Sequence, residues 1–210
     1  MFMITQDKFV WLTKVVIDNL EGGYYHPDML PQFNARSQAI LKASGETMFG
    51  LDRKAGVQLS AYPEWKSFWS IIDRDRSRFP TRWKHEYRGG NAESELKILA
   101  SVIMYKWFQY LAKKYILVGS LDEIENDERL IIHFSYAAWN GEGFFKRFAN
   151  ALNRAITKYE GNKEAIFKYA FDERLNACKY INGVKTLIPN YTIRQQGQNM
   201  MNLFRRLKLV

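Results

Sequence analysis

Cys178 is the only thiol in this chain. An internal disulfide is therefore excluded, and so is a four-cysteine zinc site. The three histidines, at 26, 85 and 133, form no His-x-x-x-His or Glu-x-x-His pair, so no metal or cofactor is expected. Long apolar runs are also missing. The most apolar stretch, 98–118, is interrupted by Lys106, Lys113 and Lys114, which argues against a membrane span. The opening residues Met1-Phe2-Met3-Ile4-Thr5-Gln6-Asp7-Lys8 lack the basic region and apolar core of a signal peptide. Synthesis in a cytoplasm is expected, with any export by another route. No internal repeat and no low-complexity linker stand out.

What is present is a globular composition with a strong cationic bias. The 210 residues are 47% hydrophobic and 25% charged, enough for one compact domain or two very small ones. Aromatics reach 15%, with six Trp, twelve Tyr and fourteen Phe. Such rings fill a core, and they also line grooves that stack on sugars or bases. Thirty-one Lys and Arg against 22 Asp and Glu give a net charge of +9. That balance suits a polyanionic partner such as nucleic acid, an anionic membrane face or a cell wall; the bland alternative is charge that keeps the protein soluble.

The periodicity predicts a mainly α fold with a small irregular or β element near the N-terminus. Phe9, Leu12, Val16 and Leu20 recur at helical spacing after Thr5 and Asp7, and Gly22-Gly23 predicts a left-handed helix stop with Glu21 in the last turn. Pro63-Glu64-Trp65 opens a helix running to about residue 73. Leu96, Leu99, Ile103, Trp107 and Leu111 mark one face of a helix over 92–115, read as core. Further helices are expected over 125–138, 144–159, 163–180 and 192–207, with a short helix at 35–42 and a small hairpin within 24–61. The turn sequence Arg88-Gly89-Gly90-Asn91 suggests two lobes, 1–90 and 91–210, of a single domain.

Two blocks carry the chemistry: Leu20-Glu21-Gly22-Gly23-Tyr24-Tyr25, then Ser44-Gly45-Glu46-Thr47-Met48-Phe49-Gly50-Leu51-Asp52. The end of a helix carries partial negative charge, which disfavours a second negative charge at Glu21, and packing against Tyr24 or Tyr25 would desolvate it further. A carboxylic acid kept protonated can donate to a leaving glycosidic oxygen. Glu46 and Asp52 lie where they could fold back toward Glu21 as a second carboxylate, and the Thr47 hydroxyl could orient a water. The competing reading is a helix stop with a surface Glu, followed by ordinary turn chemistry.

The pattern Glu-Gly-Gly-Tyr, then Gly-Glu-Thr-x-x-Gly, resembles the lysozyme-like phage muramidases of glycoside hydrolase family 108. Ser44 stands where that family has Gly, and Leu51 where it has Ile. The resemblance is specific over about 10–56 and only architectural beyond. It implies a lysozyme-like fold with a helical C-terminal part. It also implies a peptidoglycan hydrolase cutting the glycan strand, an N-acetylmuramidase or lytic transglycosylase, as a phage endolysin or virion-associated lysin. The implied partner is peptidoglycan, with anionic wall polymers as a further contact. The implied site places Glu21 as general acid and Glu46 with Thr47 as assisting groups. Tyr24, Tyr25, His26, Asp52 and Trp83 would contact substrate.

The remaining features each admit a plain structural reading. Cys178 and His133 read as core positions within helices. The run Asp73-Arg74-Asp75-Arg76-Ser77-Arg78, then Arg82-Trp83-Lys84-His85, resembles a nucleic-acid groove, or a solvated helix end with Asp–Arg pairs. Trp65, Trp69 and Trp83 could offer flat faces to sugar rings, with at least one in the core. The basic tail 203–210 suits an anionic surface or a docked last helix. A non-catalytic wall-binding or virion structural protein and, less favoured, a nucleic-acid-binding protein are the alternative functions.

Overall fold

The computed structural model describes residues 4–26, 45–54, 57–80 and 86–210. The expected helix at 35–42, and Trp83 and His85, lie outside these residues. The described chain is mainly α-helical, with two small antiparallel sheets. It divides into two compact units, residues 13–107 and residues 1–12 with 108–210. The expected lobe boundary at 90/91 therefore falls inside the first of these. The divisions fall within two long helices, so no Gly-rich linker marks them.

In the unit of residues 13–107, α1 (Gln6–Leu20) enters from its first turns, where Thr5 Oγ1 accepts from the Lys8 amide at 3.3 Å as an N-cap. Its Thr13, Val16 and Ile17 are buried. The chain then forms a three-stranded sheet, β1 (Tyr24–Tyr25), β2 (Thr47–Met48) and β3 (Leu51–Asp52), in sequence order. Tyr25 pairs with Thr47, and Thr47 with Asp52. Phe49 and Gly50 turn β2 into β3 with φ of 51° and 72°, the pair of left-handed residues that a two-residue hairpin loop requires. A non-glycine there is strained, and the Phe49 ring is fully buried, which fixes it in place.

After the short α2 (Val57–Ser60), α3 (Pro63–Arg74) starts on proline with Glu64 in its first turn. It buries Trp65, Phe68, Trp69, Ile71 and Ile72. Trp65 and Trp69 are thus core residues, and neither offers an open face to a sugar. A 3₁₀ turn at Arg76–Arg78 follows. Another, Gly90–Ala92, leads into α4 (Glu93–Tyr115), which has Glu93 and Glu95 at its start and Lys113 and Lys114 at its end, each opposing the helix dipole. Lys106 of α4 pairs with both Glu64 carboxylate oxygens at 2.6 and 2.7 Å, tying α4 to α3.

The other unit contains α5 (Val118–Glu125), α6 (Glu128–Trp139), α7 (Glu142–Lys158), α8 (Lys163–Leu175), a hairpin and α9 (Tyr191–Arg206). The helix expected over 125–138 is α6, which starts three residues later, and α5 ahead of it is additional to the expected helices. Asn126 ends α5, and Asp127 caps α6, accepting from the Arg129 amide at 2.9 Å. Asn162 and Asn190 cap α8 and α9 in the same way.

The helix expected over 163–180 stops at Leu175. Cys178–Ile181 and Val184–Pro189 form β4 and β5 instead, joined by Asn182-Gly183 with φ of 50° and 78°. Cys178 is accordingly a half-buried strand residue, not a buried helical one. Asn-Gly between β-branched residues is a strong hairpin signal that helical periodicity overrode. The tail docks as α9, with Leu203 and Phe204 buried and Arg205 and Arg206 exposed.

α7 packs on α6 and α8, and α9 on α8. Gly197 permits the last contact, because a Cβ there would lie 3.0 Å from Leu175 Cδ2 and 3.3 Å from Arg174 Cγ. Arg174 and His133 are fully buried at the centre of these helices. Arg174 Nε donates to His133 Nδ1 at 3.2 Å, and its Nη1 reaches Asn140 Oδ1 and Gln196 Oε1 at 2.9 and 3.2 Å. The guanidinium also sits 4.5 Å from the Phe148 ring centre. Among the described residues no carboxylate pairs with Arg174. Burial pushes the His133 imidazole well below its usual 6.5, and the Arg174 charge pushes it the same way.

This arrangement makes the fold acid-sensitive. The unfolded chain protonates His133 below pH 6.5 and the native one does not, so stability is present above that pH and lost below it. The urea midpoint is expected to fall between pH 7 and pH 5, with this histidine contributing up to about 1.4 kcal/mol per pH unit below its unfolded value. In His133→Gln, which cannot titrate, the dependence on pH should flatten; an unchanged slope would exclude His133 as its source.

Candidate active site

Glu21 follows the last residue of α1, where helix carbonyls lack intrahelical partners. The expected left-handed glycine does not close this end, since neither Gly22 nor Gly23 has positive φ. Arg88 closes it instead. Its Nη2 donates to the Ile17 carbonyl at 2.9 Å and its Nη1 to the Glu21 carbonyl at 3.2 Å. The same guanidinium pairs with Glu93 at 3.2 Å and lies 4.9 Å from the Phe49 ring centre. Asp18 of α1 completes the lashing, with Lys97 of α4 at 2.7 Å. The sequence marked 88–91 as turn chemistry and gave Arg88 no role. Its signal would have been a cation placed to meet a helix C-terminus, legible only once the fold is known.

Glu21 is half-buried, and its carboxyl is pushed up to about 8. Burial is the main cause, the negative charge of Asp52 adds to it, and Arg88 opposes both. The group is therefore a protonated acid at neutral pH with part of its surface open. Asp52 is half-buried on β3, and Thr47 Oγ1 donates to its Oδ1 at 2.6 Å across the β2–β3 pair. Thr47 thus orients Asp52. The Asp52 charge favours the protonated form of Glu21.

Glu46 takes a different part from the one its sequence suggested. It is 8% exposed, and both oxygens are occupied. Tyr24 Oη donates to Oε1 at 2.5 Å, Arg76 Nη1 makes a close contact with the same oxygen, and Arg53 Nη1 donates to Oε2 at 2.5 Å. Burial alone would raise the Glu46 carboxyl, but the hydrogen bonds from Tyr24, Arg76 and Arg53 outweigh it and hold the group below its usual range. Arg53 extends the network to Asp73 through a bidentate pair at 2.6 and 2.8 Å.

His26 Nε2 lies 3.0 Å from Arg76 Nη2 and 3.8 Å from Glu46. The Tyr24 and Tyr25 rings are fully buried, so they underlie the site and do not form an open sugar-stacking wall. Two of the cations of 73–78 are likewise engaged, Arg76 with Glu46 and Arg74 with Asp75 at 3.2 Å, while Arg78 is exposed.

Among the described residues no group of three or more His, Cys, Asp or Glu could hold a metal ion, and no helix is long and apolar enough to cross a membrane. No family model, curated protein or solved structure matches this chain.

Two titrations separate the carboxylates. Carboxyl carbon NMR should find Glu21 titrating near 8, moved down in Asp52→Asn and up in Arg88→Gln, because the first removes a raising charge and the second a lowering one. A Glu21 midpoint near 4.5 would exclude the protonated acid. Glu46→Gln should lower stability by about 1–2 kcal/mol, a modest loss because Arg53 and Arg76 are more than a third exposed and can rehydrate. The Glu21 titration should barely move in that variant.

Proposed function

We propose that this protein hydrolyses the glycan strand of peptidoglycan, on a lysozyme-like scaffold, with Glu21 as general acid. One observation carries the reading. A carboxyl at the end of α1 is held protonated to about pH 8 while staying partly open, beside a second carboxylate that Thr47 fixes. Glycosidic cleavage uses such an unequal pair, one member to protonate the leaving oxygen and the other to stabilise the developing oxocarbenium charge or activate water. The resemblance of Glu21-Gly22-Gly23-Tyr24 and Gly45-Glu46-Thr47 to the family 108 phage muramidases supports the substrate class. It extends to a role as endolysin or virion-associated lysin acting on the bacterial wall.

In this mechanism Glu21 donates its proton to the glycosidic oxygen as the bond to the anomeric carbon breaks. Water then adds to that carbon, and the proton it releases restores the acid. Asp52, rather than Glu46, faces the cationic carbon. The Tyr24–Glu46–Arg76–Arg53–Asp73 network holds β1 and β2 against the segment after α3, and so fixes the floor under both carboxyls. Net cationic charge favours approach to an anionic wall.

Glu21→Gln should lower clearing of purified peptidoglycan by at least about 100-fold. The same change should raise stability at neutral pH, because the native state keeps Glu21 protonated where the unfolded chain ionises it. Wild-type activity should fall as pH rises through about 8. Mass analysis of the fragments should find new reducing or anhydro-muramyl ends; freed peptides alone, or no fragments, would overturn the proposal.

A further inference from the structure

The other unit holds a cleft of about 400 Å³ between the first turns of α7 and strand β4, lined by Gly143, Phe144, Lys146, Arg147, Asn150 and Tyr180. Residues 143, 146, 147 and 150 share one face of α7 by their three- and four-residue spacing. Phe144 and Tyr180 give the walls ring faces, and Lys146 and Asn150 are exposed. Arg147 is the unusual member. Its side chain is only 7% exposed. Its Nε is paired with Glu173 at 2.5 Å and its Nη1 donates to the Cys178 carbonyl at 3.1 Å. Its Nη2 is buried with no hydrogen-bond partner. A buried donor without an acceptor carries its full desolvation cost, so a ligand that supplied the acceptor would recover it.

We infer that this cleft binds a small carboxylate carried on a ring, a sugar acid or an aromatic acid, seated by Arg147 Nη2 and Lys146. The rings of Phe144 and Tyr180 sandwich the flat part of the ligand. The local charges select the anion. Lys146, Arg147 and Lys185 stand against two carboxylates. One is Glu173, which Lys185 approaches at 3.6 Å. The other is Glu142, which Lys114 and the Tyr115 hydroxyl already hold and whose charge also meets Lys146. Lys146 therefore swings from the Tyr115 ring, 5.8 Å away, to meet the ligand. With Nε already taken by Glu173, the guanidinium offers one free nitrogen and not a two-nitrogen fork. One contact from Arg147 and one from the Lys146 ammonium match the two oxygens of a carboxylate. A phosphate dianion would need more donors and would lie near Glu173. The Tyr180 ring, centred 5.3 Å from the guanidinium, covers the seat and moves aside as the ligand enters. This inference is independent of the reading of Glu21.

The test is titration of the full chain, by calorimetry and amide NMR, with benzoate and glucuronate as ring acids. Acetate serves as an acid without a ring, glucose as an uncharged ring, and uridine monophosphate as a ring phosphate. At least one ring acid should bind with Kd near about 1 mM, and about tenfold more tightly than acetate, glucose or the nucleotide. Its shifts should centre on Phe144, Asn150 and Tyr180. Lys146→Glu, an exposed change, should weaken binding about fivefold or more, and Arg147→Gln should abolish it. If Arg147→Gln does not fold, Lys146→Glu decides. No ring-acid binding below about 10 mM would overturn the proposal. So would equal affinity for acetate or glucose, tighter binding of the nucleotide, or an unchanged affinity in Lys146→Glu.

Discussion

The candidate site depends on how Arg88 ends α1. A helix that stops without a cap leaves carbonyl oxygens facing whatever comes next. Here the guanidinium takes two of them, at Ile17 and Glu21, and is itself held by Glu93 and the Phe49 ring. The consequence for Glu21 is indirect. Its backbone is fixed, and its side chain is left in an enclosed place where the nearest cation is already committed to other acceptors. Burial and Asp52 then outweigh Arg88, and the proton stays on.

The neighbouring carboxylates illustrate how environment separates groups of the same chemistry. Glu46 and Glu21 both lose water. Glu46 meets two guanidinium groups and a phenol, and ionises; Glu21 meets a carboxylate and a spent cation, and does not. Asp52 is oriented by one hydroxyl, that of Thr47. The proposed glycan cleavage would use such a division.

Buried arginine recurs in the other unit in two further forms. Arg174 is sealed among rings and neutral acceptors, and with His133 it specifies how α6 and α8 face each other. Arg147 is nearly sealed but leaves one nitrogen unmatched at the edge of a cleft. The first is complete as it stands. The second is not, and an incomplete polar group at a cavity wall is where a ligand has something to add.

The sequence by itself determined α1, α3, α4, α7 and α9 nearly to their ends, because apolar spacing, Thr5, Pro63 and the acidic first turns act locally. It also marked Glu21, Glu46, Thr47 and Asp52 as candidates, since a motif at a helix end and a short hairpin are local facts. It misplaced what depends on distant partners. Trp65 and Trp69 looked like sugar platforms because burial cannot be read from one helix. Asn182-Gly183 lost to a helical period that β4 does not follow. The part Glu46 plays was illegible, because Arg53, Arg76 and Tyr24 are brought to it from 7 to 30 positions away along the chain. Which carboxyl keeps its proton is a balance of desolvation and neighbouring charge, and only the tertiary structure sets both.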